Sequence, residues 1–135
     1  MNTDRGRKAT IIGEAALNRL TEQIIGCAFA VHNVLGCGFA EKVYENAFIH
    51  ELKKSGLNVL QQFKIDVIYD GVVVGEYIAD AVVEGRVLLE IKAVSKFDDA
   101  HTAQCLNYLA ATQLPICLLI NFGRRVEVKR LRGAT

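Results

Sequence analysis

The chain has 135 residues, of which 51% are apolar and 23% charged, and its net charge is +1. That length suits one domain with its own core, and the small net charge excludes the strong overall positive field of many nucleic-acid-binding proteins. Because no apolar run has membrane-spanning length and no signal peptide is recognisable, we expect a cytoplasmic protein without a membrane partner. No C-x-x-C pair is present, so we expect reduced, mostly buried thiols rather than a zinc or iron–sulfur site. The cysteines are Cys27, Cys37, Cys105 and Cys117.

The first half of the chain predicts a tail and two helices. Residues 1–17 are predicted to be a loosely ordered N-terminal tail, followed by a single domain over 18–132. Apolar residues recur at helical spacing over 21–35, with a threonine as N-cap, and Gly36 ends this helix. A second helix is predicted over about 40–55, with an apolar stripe of its own.

The second half of the chain changes to the period of strands. Residues 58–94 are rich in β-branched side chains and contain two Gly turns, which predicts three antiparallel strands in a meander. Helical spacing then returns, with Asp98 or Asp99 as the cap. After Pro115 the pattern predicts a buried strand and an alternating edge strand. This order indicates an α/β fold, an α+β sandwich with helices on both faces of the sheet.

Two acids and a lysine interrupt the apolar strands. Glu90 and Lys92 share a face of their strand, because side chains alternate. Asp80, on the preceding strand, joins them only if the intervening loop has an odd number of residues. A two-residue loop would send Glu90 to the opposite face, whereas a loop over 83–85 with its glycine left-handed pairs position 80 with 88. We expect the odd loop, with both carboxylates on one face.

The spacing alone leaves two interpretations of these charges open. In one, Lys92 pairs with Glu90 or Asp80, as in a structural or interaction protein. In the other, the two carboxylates converge and are bridged by a hard cation, for which oxygen ligands suit Mg²⁺ or Mn²⁺. A neighbouring lysine then stabilises phosphoryl charge or helps to deprotonate a water. Two carboxylates, a bound cation and a lysine are the groups that phosphodiester hydrolysis requires.

The sequence resembles one family of nucleases in several motifs. Asp80 followed by "EIK" at Glu90–Lys92 resembles the D-(x)n-(D/E)-x-K signature of PD-(D/E)XK nucleases. "GFAEKVY" over 38–44 fits the G-x-x-E-x-x-Y motif of the GxxExxY proteins, a branch of that superfamily. The segments "QFKIDVIYDG", "HTAQCLNYL", "LLINFG" and "VKR" resemble further parts of the branch, in the right order, over about 20–131. The proline of the superfamily name is replaced by Ala79.

This resemblance implies a fold and a centre. The fold would have a restriction-endonuclease-like core, with a central mixed sheet of about five strands. Asp80, Glu90 and the carbonyl of Ile91 would bind Mg²⁺ or Mn²⁺. Lys92 would be the catalytic lysine, and Glu41 a third acid from the second helix, with Tyr44 and Phe48 buried beside it.

Further residues are candidates for contact with a DNA or RNA partner. Gln104 and Tyr108 match the Q-x-x-x-Y element of RecB-type nucleases, which implies that they orient the lysine or a phosphate. His101 is expected to contact phosphate. Arg124 and Arg125 belong to a basic run that fits either a phosphate-binding surface or a solvated edge. The predicted function is therefore metal-dependent nuclease activity, and the alternative is a module on the same fold that binds nucleic acid or protein without cutting.

Overall fold

The structure is a computed structural model that describes residues 3–133, with side chains from residue 13 onward. In that part of the chain, three helices and five strands follow one another in the predicted order. They are α1 (Thr3–Leu35), α2 (Glu41–Lys54), β1 (Val59–Tyr69), β2 (Val72–Val83), β3 (Val87–Lys92), α3 (Asp99–Thr112), β4 (Ile116–Phe122) and β5 (Val126–Arg132).

The five strands form one mixed sheet in the order β1-β2-β3-β4-β5. The first three strands pair antiparallel, as the predicted meander requires. β3 and β4 pair parallel, because α3 carries the chain back across the sheet between them, and β5 returns antiparallel to β4. Both sheet edges are therefore hairpin strands, and the buried strands β3 and β4 lie between them.

Helices cover both faces of the sheet, as predicted. Helices α1 and α2 pack on one face in a core that includes Val83, Leu89 and Ile120. Helix α3 packs on the other face, against residues such as Leu88 and Leu119. Burial on both faces explains why β3 and β4 consist almost entirely of apolar residues. Three of the four cysteines are buried, and all four are free thiols.

Helix α1 begins earlier than the sequence indicated. It starts at Thr3 rather than near Thr21, which is buried inside the helix with its hydroxyl donating to the Asn18 carbonyl oxygen at 2.9 Å. Leu17 is only 5% exposed, so the end of the predicted loose tail is packed helix. The apolar spacing of Leu17 and Leu20 continues the stripe that was recognised only after Thr21. Residues 1 and 2 of that tail lie outside the described residues, and the domain boundary at 18 stays a prediction.

The turn between β2 and β3 has the odd parity that the sequence predicted. Its three residues are 84–86, and the glycine at 85 is left-handed, with φ +61°. Val83 pairs with Val87 and Ala81 with Leu89. The turn starts one residue later than predicted, so Asp80 comes opposite position 90 rather than 88.

Candidate functional site

The ladder between β2 and β3 stops where the two acids begin. Its last pair is Ala81 with Leu89. Beyond it, the Ile91 N–H donates to Asp80 Oδ2 at 2.7 Å, and the Asp80 N–H donates to Glu90 Oε1 at 3.3 Å. Side-chain carboxylates thus take the place of backbone carbonyls, and both acids lie in the gap between the diverging strands.

The faces of β1 and β2 reverse at this same position. Ala81 packs with the α1–α2 core, whereas Ala79, two residues earlier, packs with the α3 core. Residues two apart on a regular strand share a face, so the strand turns over at Asp80. On β1, Gln62 lies opposite Asp80, between the pairs 61–81 and 63–79, and has a left-handed φ of +57°. Such a conformation is uncommon for a residue other than glycine and is often associated with functional sites.

The pKa values of both carboxyl groups are raised above their ordinary values. Burial raises the pKa of Asp80 to about 6, against the lowering effect of the Ile91 N–H, and the charges of Glu45 and Glu41 raise it further. Burial and the charge of Asp80 raise the pKa of Glu90 to about 7. Lys92 Nζ lies 3.5 Å from Glu90 Oε2 and offsets this repulsion only in part.

Helix α2 places two acids near this region, Glu45 and the predicted Glu41, since the charges of both raise the pKa of Asp80. Glu45 is only 3% exposed, whereas Glu41 is exposed in the first turn of the helix. The Glu45 Oε2 atom accepts hydrogen bonds from Gln61 at 2.7 Å, Gln62 at 2.8 Å and Lys42 at 3.0 Å. Burial opposes ionisation, but these donors outweigh it and lower the pKa of Glu45. Sequence analysis missed Glu45, although an acid four residues before a buried isoleucine falls within the apolar stripe.

Two residues of the G-x-x-E-x-x-Y segment, Gly38 and Tyr44, have structural roles. Gly38 has φ +110°, which favours glycine in the turn before α2. The Tyr44 hydroxyl donates to the Gly36 carbonyl at 2.6 Å, and its ring stacks on Phe122 with centroids 5.0 Å apart. Tyr44 and Phe48 are both fully buried, as predicted. Glu41, the acid of the segment, lies at the helix N-terminus, where a negative charge is favourable.

Helix α3 places its three predicted residues in different surroundings. The Tyr108 hydroxyl donates to the Ile78 carbonyl at 3.1 Å, two residues before Asp80. Burial raises the pKa of Tyr108, and the charges of Glu90 and Asp80 add to this shift. Gln104 is half-buried, one turn earlier on the helix. His101 completes a capping box, in which its Nδ1 accepts from the N–H of the N-cap Asp98 at 3.1 Å. Asp98 is thus the cap that the sequence left open between two residues.

The basic pair lies beyond the end of the sheet at which Lys92 is found. Lys92 pairs with Asn121 across β3 and β4. The Asn121 side chain then holds both the N–H and the carbonyl of Val94, at 2.9 and 2.8 Å. The turn after β4 carries Arg124 and Arg125, both exposed. The two guanidinium groups are therefore available at the same end as Lys92.

The donor atoms in the gap fit a hard divalent cation. Asp80 and Glu90 supply carboxylate oxygens, and Ile91 supplies a carbonyl. Because the N–H and C=O of one strand residue point to the same side, the Ile91 carbonyl faces the gap into which its N–H donates. All three donors are oxygens, as Mg²⁺ and Mn²⁺ prefer. Among the described residues, no three His, Cys, Asp or Glu side chains converge closely enough to form a cage of their own.

Comparison with known proteins now assigns the chain to a family. The family model of the PD-(D/E)XK nuclease superfamily matches residues 18–131, and the chain belongs to that superfamily. A search of curated proteins found no match. Within the described residues, no helix is long and apolar enough to span a membrane.

Two solved structures share the fold. The crystal structure of SSO0001 has 17% identity and a TM-score of 0.57, and the match covers 70% of this chain and 50% of that one. An alkaline exonuclease from Laribacter hongkongensis has 16% identity and a TM-score of 0.52, covering 67% and 55%. The chain thus spans about half the length of these two proteins. Together with the family match, they confirm the predicted restriction-endonuclease-like α/β core.

Proposed function

We propose that this protein is a metal-dependent nuclease that hydrolyses phosphodiester bonds in DNA or RNA, with its centre between β2 and β3. The observation that carries the proposal is the convergence of Asp80 and Glu90 in a gap where no backbone ladder continues. A buried carboxyl, Glu90, and a half-buried one, Asp80, both with raised pKa values, form an unfavourable pair on their own. A divalent cation would remove that repulsion, so the arrangement is more useful for binding than for stability.

The residues have separate roles in this proposal. Asp80, Glu90 and the Ile91 carbonyl hold Mg²⁺ or Mn²⁺, which when bound lowers the pKa of a water and stabilises negative charge on the phosphate. Lys92 is positioned beside Glu90, where its ammonium group stabilises the developing phosphoryl charge or where, as the neutral amine, it receives a proton from the water.

Glu45 takes the role that the family resemblance implied for Glu41. Its carboxylate is kept ionised by three donors and raises the pKa of the nearby Asp80. An ionised acid in that position supports a cation or orients its water. Tyr108 and Gln104 orient the centre from α3, and His101, Arg124 and Arg125 bind the phosphates that flank the scissile bond.

We also infer that the chain belongs to the GxxExxY branch of the superfamily. The inference rests on the order of the matching segments and on the structural reasons for Gly38 and Tyr44 given above. Membership of this branch does not specify a substrate, because the branch is named for a motif and not for a reaction.

A cleavage panel tests the proposal. The protein is incubated with single- and double-stranded DNA and RNA in Mn²⁺ or in chelator, beside the variants Lys92→Ala and Lys53→Ala. Lys53 is an exposed lysine at the far end of α2 and serves as the matched control. We expect cleavage of at least one substrate in Mn²⁺, a loss of about 100-fold or more in Lys92→Ala, and little change in Lys53→Ala.

Two results would overturn the assignment in different ways. No cleavage of any substrate, with nucleic acid still bound, would favour the alternative of a binding module on a nuclease fold. Equal activity in wild type and Lys92→Ala would remove the lysine from the mechanism and point to a contaminating nuclease.

A further inference from the structure

We propose that the open edge of β2 is a self-association surface, at which two copies of this chain pair their β2 strands antiparallel about a two-fold axis. This inference does not depend on the proposed nuclease activity. The surface belongs to the ribbon, which we define as the two-stranded part of the β1–β2 hairpin over residues 64–78. Its strands pair with each other, but β3 joins β2 only from Ala81 onward, so the ribbon extends beyond the rest of the sheet.

The outer edge of β2 is identified by its hydrogen bonds. In an antiparallel pair, alternate residues direct both their N–H and C=O away from the partner strand. The Ile78 carbonyl accepts from Tyr108 and the Asp80 N–H donates to Glu90, so positions 78 and 80 face away from β1. By the same alternation Glu76 faces away as well, with no strand beside it. An unpaired edge of this kind is a template for another strand.

The ribbon also exposes an unusual amount of apolar surface. Six of its large apolar side chains are between 46% and 70% exposed, namely Ile68, Tyr69, Val72, Val73, Val74 and Ile78. They are divided between the two faces of the ribbon, because adjacent residues such as 68 and 69 or 72 and 73 point to opposite sides. Each face of the ribbon therefore exposes apolar side chains next to the unpaired edge. The opposite edge strand, β5, is protected instead by exposed Lys129, Arg130 and Arg132.

The charge of the ribbon selects the kind of partner. Its ionisable acids are Asp66, Asp70 and Glu76, and its one base is Lys64. This balance repels a phosphate backbone or an anionic membrane, and it restricts a second copy to a register in which the acids of the two chains do not meet. A second copy avoids like-charge contact: about a two-fold axis at Val74 or at position 75, Glu76 comes opposite a valine of the other chain. Cross-strand pairs of β-branched residues then stabilise the joined sheet.

Sedimentation of the full chain in chelator tests the inference independently of any cleavage. We expect the wild type to sediment as two copies of the 14.9 kDa chain at high micromolar concentration. Val73→Lys places a charge on the ribbon and should sediment as one copy. Val34→Lys places the same charge on α1, at a side chain that is 85% exposed, and should leave the two-copy species intact. Because both side chains are exposed, the melting midpoints of the three proteins should agree at a dilution where all of them sediment as one copy.

Hydrogen exchange gives a second readout on the unaltered chain. The Glu76 amide should be protected at high protein concentration and should lose that protection on dilution. The proposal is overturned if the wild type sediments as one copy throughout, if Val34→Lys rather than Val73→Lys dissociates it, or if Glu76 exchanges at the same rate at every concentration.

Discussion

At Asp80 and Glu90, burial acts in the same direction as the repulsion between two neighbouring acids. Their pKa values of about 6 and about 7 exceed the ordinary 3.8 and 4.5. Between those limits, the folded chain keeps protons that the unfolded chain has released. The contribution of this pair to the free energy of unfolding is therefore fully present at a pH below the ordinary pKa values. It is lost as the pH rises through about 7.

The pH dependence of metal-free stability tests this arrangement. In chelator, the free energy of unfolding of the wild type, measured relative to Glu90→Gln, should fall between about pH 5 and about pH 8. The comparison with Glu90→Gln cancels the titration of distant groups and leaves the titration of Glu90 together with its coupling to Asp80. If this difference in the free energy of unfolding rises with pH over the range, the fold stabilises the ionised carboxylates, as an ion pair with Lys92 would.

Glu45 and Glu41 differ in burial although they lie one turn apart on α2, and this difference predicts different effects on cleavage. Glu45→Gln should reduce Mn²⁺-dependent cleavage about tenfold or more, because the ionised carboxylate beside Asp80 is lost. Glu41→Gln, at an exposed position, should retain most of the activity. Cleavage rates of both variants at matched metal concentration check this, and the reverse order would return the role to Glu41.

The sequence predicted that the two strand acids converge, but not that Glu45 is buried near them, for a physical reason. Asp80, Glu90 and Lys92 are separated by a spacing that strand alternation and one odd loop bring together, so their placement follows from local rules. The position of Glu45 depends on how α2 rotates against the sheet. Helical spacing groups Val43 with the apolar residues of α2, yet Val43 is 40% exposed, whereas the buried face is turned toward Glu45 and Ile49.

At the scale of single elements, β1 and β2 are each two half-strands with opposite faces. The left-handed Gln62 lies at the reversal. A pattern of alternating residues does not show such a reversal, because each half alternates correctly by itself. Helix α1 was likewise predicted too short, because apolar spacing was recognised only from residue 21, whereas the helix extends from Thr3.

The backbone at Gln62 can be tested by two substitutions. Gln62→Gly and Gln62→Ala both lose the hydrogen bond to Glu45, but only alanine retains the strain of a left-handed residue with a Cβ atom. The alanine variant should therefore unfold with a free energy about 1 kcal/mol lower than the glycine variant. Urea unfolding of both measures the difference. Equal stability of the two would mean that residue 62 does not have a positive φ in solution.

For the whole molecule, the order of elements was sufficient to predict the fold. A meander, a crossover helix and a final hairpin leave few arrangements of five strands with helices on both faces. The parity of the β2–β3 turn then determined which face received Glu90. Its register was not predictable, because the sequence does not show whether Val83 ends the strand or begins the turn.

In the proposed function, Asp80 and Glu90 hold a divalent cation rather than form an ion pair with Lys92. Thermal melts of the wild type and Asp80→Asn, each in chelator and in Mn²⁺, test this claim most directly, with Asp66→Asn as an exposed control. We predict that Mn²⁺ raises the wild-type and Asp66→Asn midpoints but not that of Asp80→Asn, which in chelator should melt at or above the wild type. A wild type indifferent to Mn²⁺, together with an Asp80→Asn variant clearly destabilised in chelator, would contradict the claim and favour the ion pair.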